Sequence, residues 1–158
     1  MTHAKPLLKP DLKRSLRAAL PLGIGFMAAV DEIIFHQILA WHHFFDRGTP
    51  AFSLLSDGLL HSAELIFFVV GFFMFMDLRK RCTLDRRSAW AGFFLGLGGF
   101  QIFDGLVDHK VLRLHQIRYV ENVLPYDLAW NGTGILLLLL GWFLYRRARA
   151  AAHPEVES

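Results

Sequence analysis

The sequence predicts an all-α integral membrane protein, a four-helix bundle with both termini cytoplasmic. Three observations predict it. The 158 residues are 54% hydrophobic and include fifteen Phe and four Trp. Several apolar runs lack the polar face that a helix at a soluble surface carries, and four of them approach the ~20 residues that cross a bilayer. Basic residues gather at the ends of these runs, as topology signals do. The net charge of +3 and the pI near 9.3 therefore do not point to nucleic acid. The single cysteine, Cys82, excludes an internal disulfide framework and a thiolate-rich metal site.

Residues 1–15 are polar and basic, carry Pro6 and Pro10, and read as a cytoplasmic tail. No short apolar core with an Ala-x-Ala cleavage site follows, so the first run reads as a retained span. It covers residues 16–41: residues 18–30 are uncharged, Asp31, Glu32 and His36 follow, and Trp41 closes it. With Trp41 at the interface, Glu32 lies roughly 14 Å deeper at ~1.5 Å per residue. His42, His43, Asp46 and Arg47 then read as ordinary outer-loop residues before the turn Gly48-Thr49-Pro50. Span two covers residues 57–76, with Ser56 or Asp57 as its cap and His61 and Glu64 in its first turns. A basic loop, residues 77–87, leads to span three, residues 88–109, where Gly92, Gly96, Gly98 and Gly99 allow close helix approach. An amphipathic helical continuation is expected over 110–119. Pro125 precedes span four, residues 126–145, which carries Asp127 and Asn131 early. Arg146, Arg147 and Arg149 close it, and residues 148–158 read as a second cytoplasmic tail.

Orientation follows from charge. Thirteen of the seventeen Lys and Arg lie in the N-terminal segment through Arg17, the middle loop and the C-terminal end. The positive-inside rule places those regions in the cytoplasm. Nine of the fourteen acids and six of the eight histidines then fall on the outer side or in the outer half of a span. They come late in spans one and three and early in spans two and four, as one shared site requires.

Within each span the polar residues keep α-helical spacing. Glu32, His36 and His43 share a face, as do Asp57, His61 and Glu64, then Asp104, Asp108 and His115, then Asp127 and Asn131. An ionised group at mid-bilayer costs ~3 kcal/mol or more unless paired, and no Lys or Arg lies in the outer half of any expected span. A metal ion, or protonated acids and imidazoles, is the remaining counter-charge. The candidate ligands are Glu32, His36, Asp57, His61, Glu64, Asp104, Asp108 and His109, with His43, His115, Asp127 and Asn131 as supporting residues. Carboxylate and imidazole donors on facing helices suit zinc, iron, manganese or copper. N-capping competes as the reading of Asp57 and Asp127, and an interfacial helix as that of His115. Gly58 and Gly105 are expected to allow close packing beside an acid. The words Asp-Gly-Leu at 57 and 104, and His-Gln-Ile at 36 and 115, occur in an order that fits no tandem duplication, so no internal repeat is expected.

The stretches Asp31-Glu32-Ile33-Ile34-Phe35-His36, Ser56-Asp57-Gly58-Leu59-Leu60-His61, Phe103-Asp104-Gly105-Leu106-Val107-Asp108-His109 and Tyr126-Asp127-Leu128-Ala129-Trp130-Asn131 resemble a bacterial membrane family. It is catalogued as domain of unknown function 2243. The resemblance spans roughly residues 15–147. It implies four helices in a bacterial inner membrane and, because some relatives are joined to or encoded near a domain resembling a cytochrome oxidase assembly factor for copper, a lean toward respiratory metal handling, without an established activity. The expected cofactor is a divalent transition metal, zinc, iron or copper. The expected partners are membrane lipid and either a second copy or a respiratory assembly protein. Three functions compete: an intramembrane metal-binding protein, a membrane metalloenzyme (hydrolase or oxidoreductase) activating water or dioxygen, and a metal-free proton-path or structural subunit.

Overall fold

The fold is that of a computed structural model, which describes residues 9–152; the outer parts of the two expected tails, residues 1–8 and 153–158, lie outside that range. Four helical stretches are long and apolar enough to cross a membrane: Leu12–Ile38, Pro50–Lys80, Arg86–Val111 and Leu124–Ala152. The first and third are each built in two parts. An α-helix, α1 (Leu12–Val30), runs without a break into a π-helix, π1 (Asp31–Ile38). Likewise α3 (Arg86–Phe103) runs into π2 (Asp104–Val111). The second and fourth spans are α-helical throughout, α2 (Pro50–Lys80) and α4 (Leu124–Ala152).

The helix ends follow the local chemistry. Asp11 caps α1 by accepting from Arg14 N at 2.9 Å, and Asp85 caps α3 by accepting from Ser88 N at 2.6 Å. Thr49 caps α2 with Pro50 at the first helical position, where its missing N–H leaves no gap in the ladder. Helix α2 therefore starts two turns before Asp57, and Asp57 is a buried mid-helix residue, not a cap. Residues 112–123 form an irregular loop in place of the expected amphipathic helix. Arg113 there has φ 53°, in the left-handed region, which ends any helical run from π2.

Helix α1 packs against α3 at the centre, α2 packs on α1, and α4 packs on α3. Small residues set these seams. A Cβ at Gly92 or Gly96 would strike the carbonyls of Leu16 or Leu20, and one at Gly23 would strike that of Phe93. Such close backbone approach lets dispersion hold helices together where lipid removes the hydrophobic drive between them. Gly71 meets Leu22 at the α1–α2 seam, and Gly141 meets the Ala91 carbonyl at the α3–α4 seam. Gly105 packs on Asn131 as expected, whereas Gly58 and Gly99 face open space. The outward faces of α2 and α4 are rows of exposed Leu, Ile, Val and Phe, the surface that lipid covers.

The structure overturns the reading that the chain holds no repeat. The segment α1–π1–loop–α2 matches α3–π2–loop–α4. Each π-helix begins at an aspartate and spans eight residues. Asp31, His36 and His42 match Asp104, His109 and His115, giving Asp-x4-His-x5-His twice. Between the histidines, Ala40 and Arg113 both have positive φ, 47° and 53°. Matching backbone bonds close each π-helix: Leu39 N to Ile34 O and Leu112 N to Val107 O. In the partner helices Glu64, Gly71 and Leu78 are buried in α2, and Gly134, Gly141 and Ala148 at the same seven-residue interval in α4. Both halves run in the same direction, so the relation is a parallel repeat about an axis along the membrane normal.

Candidate metal centre

The π-helices decide which side chains meet. In an α-helix residues four apart stack, whereas the i to i+5 bonding of a π-helix stacks residues five apart. Asp31 therefore lies under His36, with Oδ2 and Nε2 at 3.6 Å. Asp104 lies under His109 in the same way, Oδ2 to Nε2 at 3.2 Å. Gln37 reaches back five residues to donate to Glu32 Oε1 at 2.8 Å.

The two loops that follow the π-helices close over these residues by a reciprocal exchange. His42 of the first loop donates from Nδ1 to the Ile117 carbonyl at 2.9 Å. His115 of the second donates from Nδ1 to the Phe44 carbonyl at 2.8 Å. Ile117 and Phe44 are themselves matching positions of the repeat, so the contact is isologous, as across a twofold axis. The two rings stack on that axis, centroids 4.5 Å apart and planes 7° apart. Asp46 N to Leu114 O, 3.2 Å, ties the loops again.

A carbonyl can only accept, so Nδ1 of His42 and of His115 carries the proton and Nε2 keeps a lone pair. Burial above all, with His115, His36 and His109 close by, pushes the pKa of His42 well down and keeps it neutral. His36 is anchored differently. Its Nδ1 lies 2.8 Å from Glu32 Oε2 and 3.2 Å from Asp57 Oδ1. Asp57 is fixed in turn by Phe44 N at 2.7 Å and His43 Nδ1 at 2.6 Å. That carboxylate contact holds His43 protonated to a higher pH than a free histidine, raising its pKa. His36 Nε2 is thus turned toward the axis with its other nitrogen held by carboxylate, the usual support of a metal-ligating imidazole.

Four imidazoles and two carboxylates meet here: His36, His42, His109, His115, Asp31 and Asp104, every one of them buried. His109 Nε2 and His115 Nε2 are 2.9 Å apart. Asp31 Oδ2, His36 Nε2, His42 Nε2 and Asp104 Oδ2 are shut off from solvent without a hydrogen-bond partner. Buried polar atoms of this kind cost about 1–3 kcal/mol each when unsatisfied. Three overlapping groups have donor atoms close enough to share an ion: Asp104, His109 and His115; His36, His42 and His115; and Glu32, His36 and Asp57.

Of the residues the sequence singles out, the structure brings Glu32, His36, Asp57, Asp104, His109 and His115 into this region. Asp108 is buried but joins none of the three groups. His61 stands apart on α2 with 59% of its side chain exposed, bonded at 2.6 Å to the buried Glu64. His43 supports Asp57 from the rim. Asp127 pairs with Lys110 at 2.5 Å, and Asn131 donates to the Asp127 carbonyl at 2.9 Å. Sequence reasoning passed over Asp31 and treated His42 as a loop residue. The duplicated Asp-x4-His-x5-His spacing was the signal that could have found both.

Fold and site define a class: a multi-pass membrane protein of four helices that encloses a cluster of histidines and carboxylates. The chain belongs to the family described as predicted membrane protein DUF2243, whose model matches residues 18–148. No curated protein and no solved structure matches the chain.

Proposed function

We propose that the protein is an intramembrane metal-binding protein that handles a divalent transition ion, zinc, iron or copper, at this cluster. The observation that carries the reading is the pair of histidines His42 and His115. Each is locked by the opposite loop in the tautomer that turns the Nε2 lone pair into the buried cluster, unpartnered at His42 and 2.9 Å from His109 Nε2 at His115. Imidazole and carboxylate donors without thiolate suit these ions. The near-complete burial of the donors supports holding and passing on an ion over turning over a substrate, because a metalloenzyme needs an open coordination position. By the positive-inside rule the basic ends and middle loop face the cytoplasm of an inner membrane, and the cluster lies toward the outer face.

The test is elemental analysis by mass spectrometry of the protein purified in mild detergent without a metal-affinity tag. Metal is expected in the wild type as purified or after reconstitution. His42→Ala and His115→Ala should each lose most of it, and His61→Ala should keep it. A wild type that takes up none of the three ions would sink the reading.

A further inference from the structure

We infer that the cluster is a two-ion centre, one divalent cation per half of the repeat. The first position is formed by Asp31, His36 and His42, and the second by Asp104, His109 and His115. The inference rests on the metal-binding reading and adds the number and placement of the ions.

Symmetry limits the arrangement. Donors disposed about a twofold axis hold either one ion on the axis or a pair related by it. The ring geometry repeats in each half: His36 to His42 is 4.5 Å between centroids at 71°, and His109 to His115 is 4.6 Å at 78°. Of the cross-half pairs, His36 to His115 and His42 to His109 match each other and are longer, 5.9 and 6.1 Å, while His42 and His115 stack on the axis itself at 4.5 Å. In each half the aspartate one π-turn below approaches its own histidine, at 3.6 and 3.2 Å. In the first position all three donor atoms, Asp31 Oδ2, His36 Nε2 and His42 Nε2, are buried and unpartnered; His36 and His42 already lie within sharing distance, and Asp31, 3.6 Å from His36 Nε2, closes in to complete the position. In the second, Asp104 Oδ2, His109 Nε2 and His115 Nε2 face one another within 3.2 Å of the His109 nitrogen.

Charge decides between one ion and two. Asp31, Glu32, Asp57, Asp104 and Asp108 are each no more than 5% exposed. Among the described residues none of these five lies within ion-pairing distance of a Lys or Arg; the nearby Lys110 is taken by Asp127. Asp57 has His43 as its partner at 2.6 Å, which leaves four; one divalent ion offsets two of these carboxylates and two ions offset all four. Uncompensated buried charge is the most costly arrangement available in a membrane interior. Paired ions held about 3.5–4 Å apart are an established arrangement of such donor sets.

The experiment loads the metal-stripped full-length protein with Zn(II) in mild detergent, removes free ion and counts zinc per chain. Two per chain is expected in the wild type. One per chain is expected for Asp31→Ala/His36→Ala and for Asp104→Ala/His109→Ala, each checked for helical content and monodispersity. Loading the wild type with Cu(II) should give the magnetically coupled signal of paired ions. A wild type that binds one zinc overturns the two-ion centre and leaves the metal-binding reading standing. A wild type that binds none overturns both. Both double variants folded yet empty would mean a single shared position and overturn the inference. Should a variant fail to fold, the wild-type count and the copper signal decide.

Discussion

At the scale of single residues, Asp57 shows how much one carboxylate can organise. It accepts from His36, from His43 and from the Phe44 amide, at 3.2, 2.6 and 2.7 Å. It therefore fixes a candidate ligand on π1, the loop that follows π1, and α2 together. Asp57→Asn puts an amide N–H where an acceptor is needed. Zinc affinity should fall about 10–100-fold, the range for loss of a group that orients a metal ligand, with helical content unchanged. Competition against a chelator of known affinity measures this, and an unchanged affinity would remove Asp57 from the role. Asp57 and His36 were legible in the sequence because acids and imidazoles inside apolar runs are costly and so stand out. His42 was not, since His42 and His43 are adjacent and equally polar. The Asp-x4-His-x5-His spacing shared by the two halves separates them only when the halves are set side by side, and the return of the second loop, whose Ile117 carbonyl accepts from His42 Nδ1, shows what it achieves. That contact joins residues far apart in sequence, and no local pattern encodes it.

At the scale of elements, the π-helices account for most of what the sequence concealed. An α-helical reading pairs Glu32 with His36 and Asp104 with Asp108, four apart. The wider π-turn moves the aspartates five residues away under the imidazoles, so Asp31 joins Glu32 beside His36, one at each ring nitrogen, and Asp108 drops out of the donor groups. π-Turns often accompany functional sites, but two runs of eight residues have no signature in composition or propensity. The spans themselves were legible, because length and apolarity are what a bilayer selects. Their seams were partly so. Glycines in the third span announced close packing, and Gly92 and Gly96 do touch the backbone of α1. Gly96→Leu would drive side-chain atoms into the Leu20 carbonyl and the Ile24 amide, neither of which can yield as a side chain can. A loss of about 1–3 kcal/mol is expected, read as a lower thermal midpoint in detergent. The corresponding change at Gly99, which faces open space, should leave the midpoint in place.

At the scale of the whole molecule, the proposed orientation rests on charge, and the single cysteine of the sequence can report it. Cys82 is exposed in the basic middle loop. With that loop cytoplasmic, a membrane-impermeant maleimide should spare Cys82 in spheroplasts and label it after lysis. In a Cys82→Ser background, Thr49→Cys on the outer loop should label in intact spheroplasts. The reverse pattern would invert the topology. The loop exchange described above bears also on how freely each half can vary. Were the two halves separate identical subunits, one substitution would alter both sides of the centre at once. A single chain lifts that restriction, and the halves differ where it would matter. Glu32 has Gly105 as its counterpart in the repeat, and Asp57 anchors its histidine while Asp127 is drawn off by Lys110. His109 Nδ1 is left buried without a partner, although the corresponding atom of His36 has two carboxylates. Two positions built from one pattern can thus differ in how tightly they hold their imidazole, and hence in which of them exchanges its occupant first.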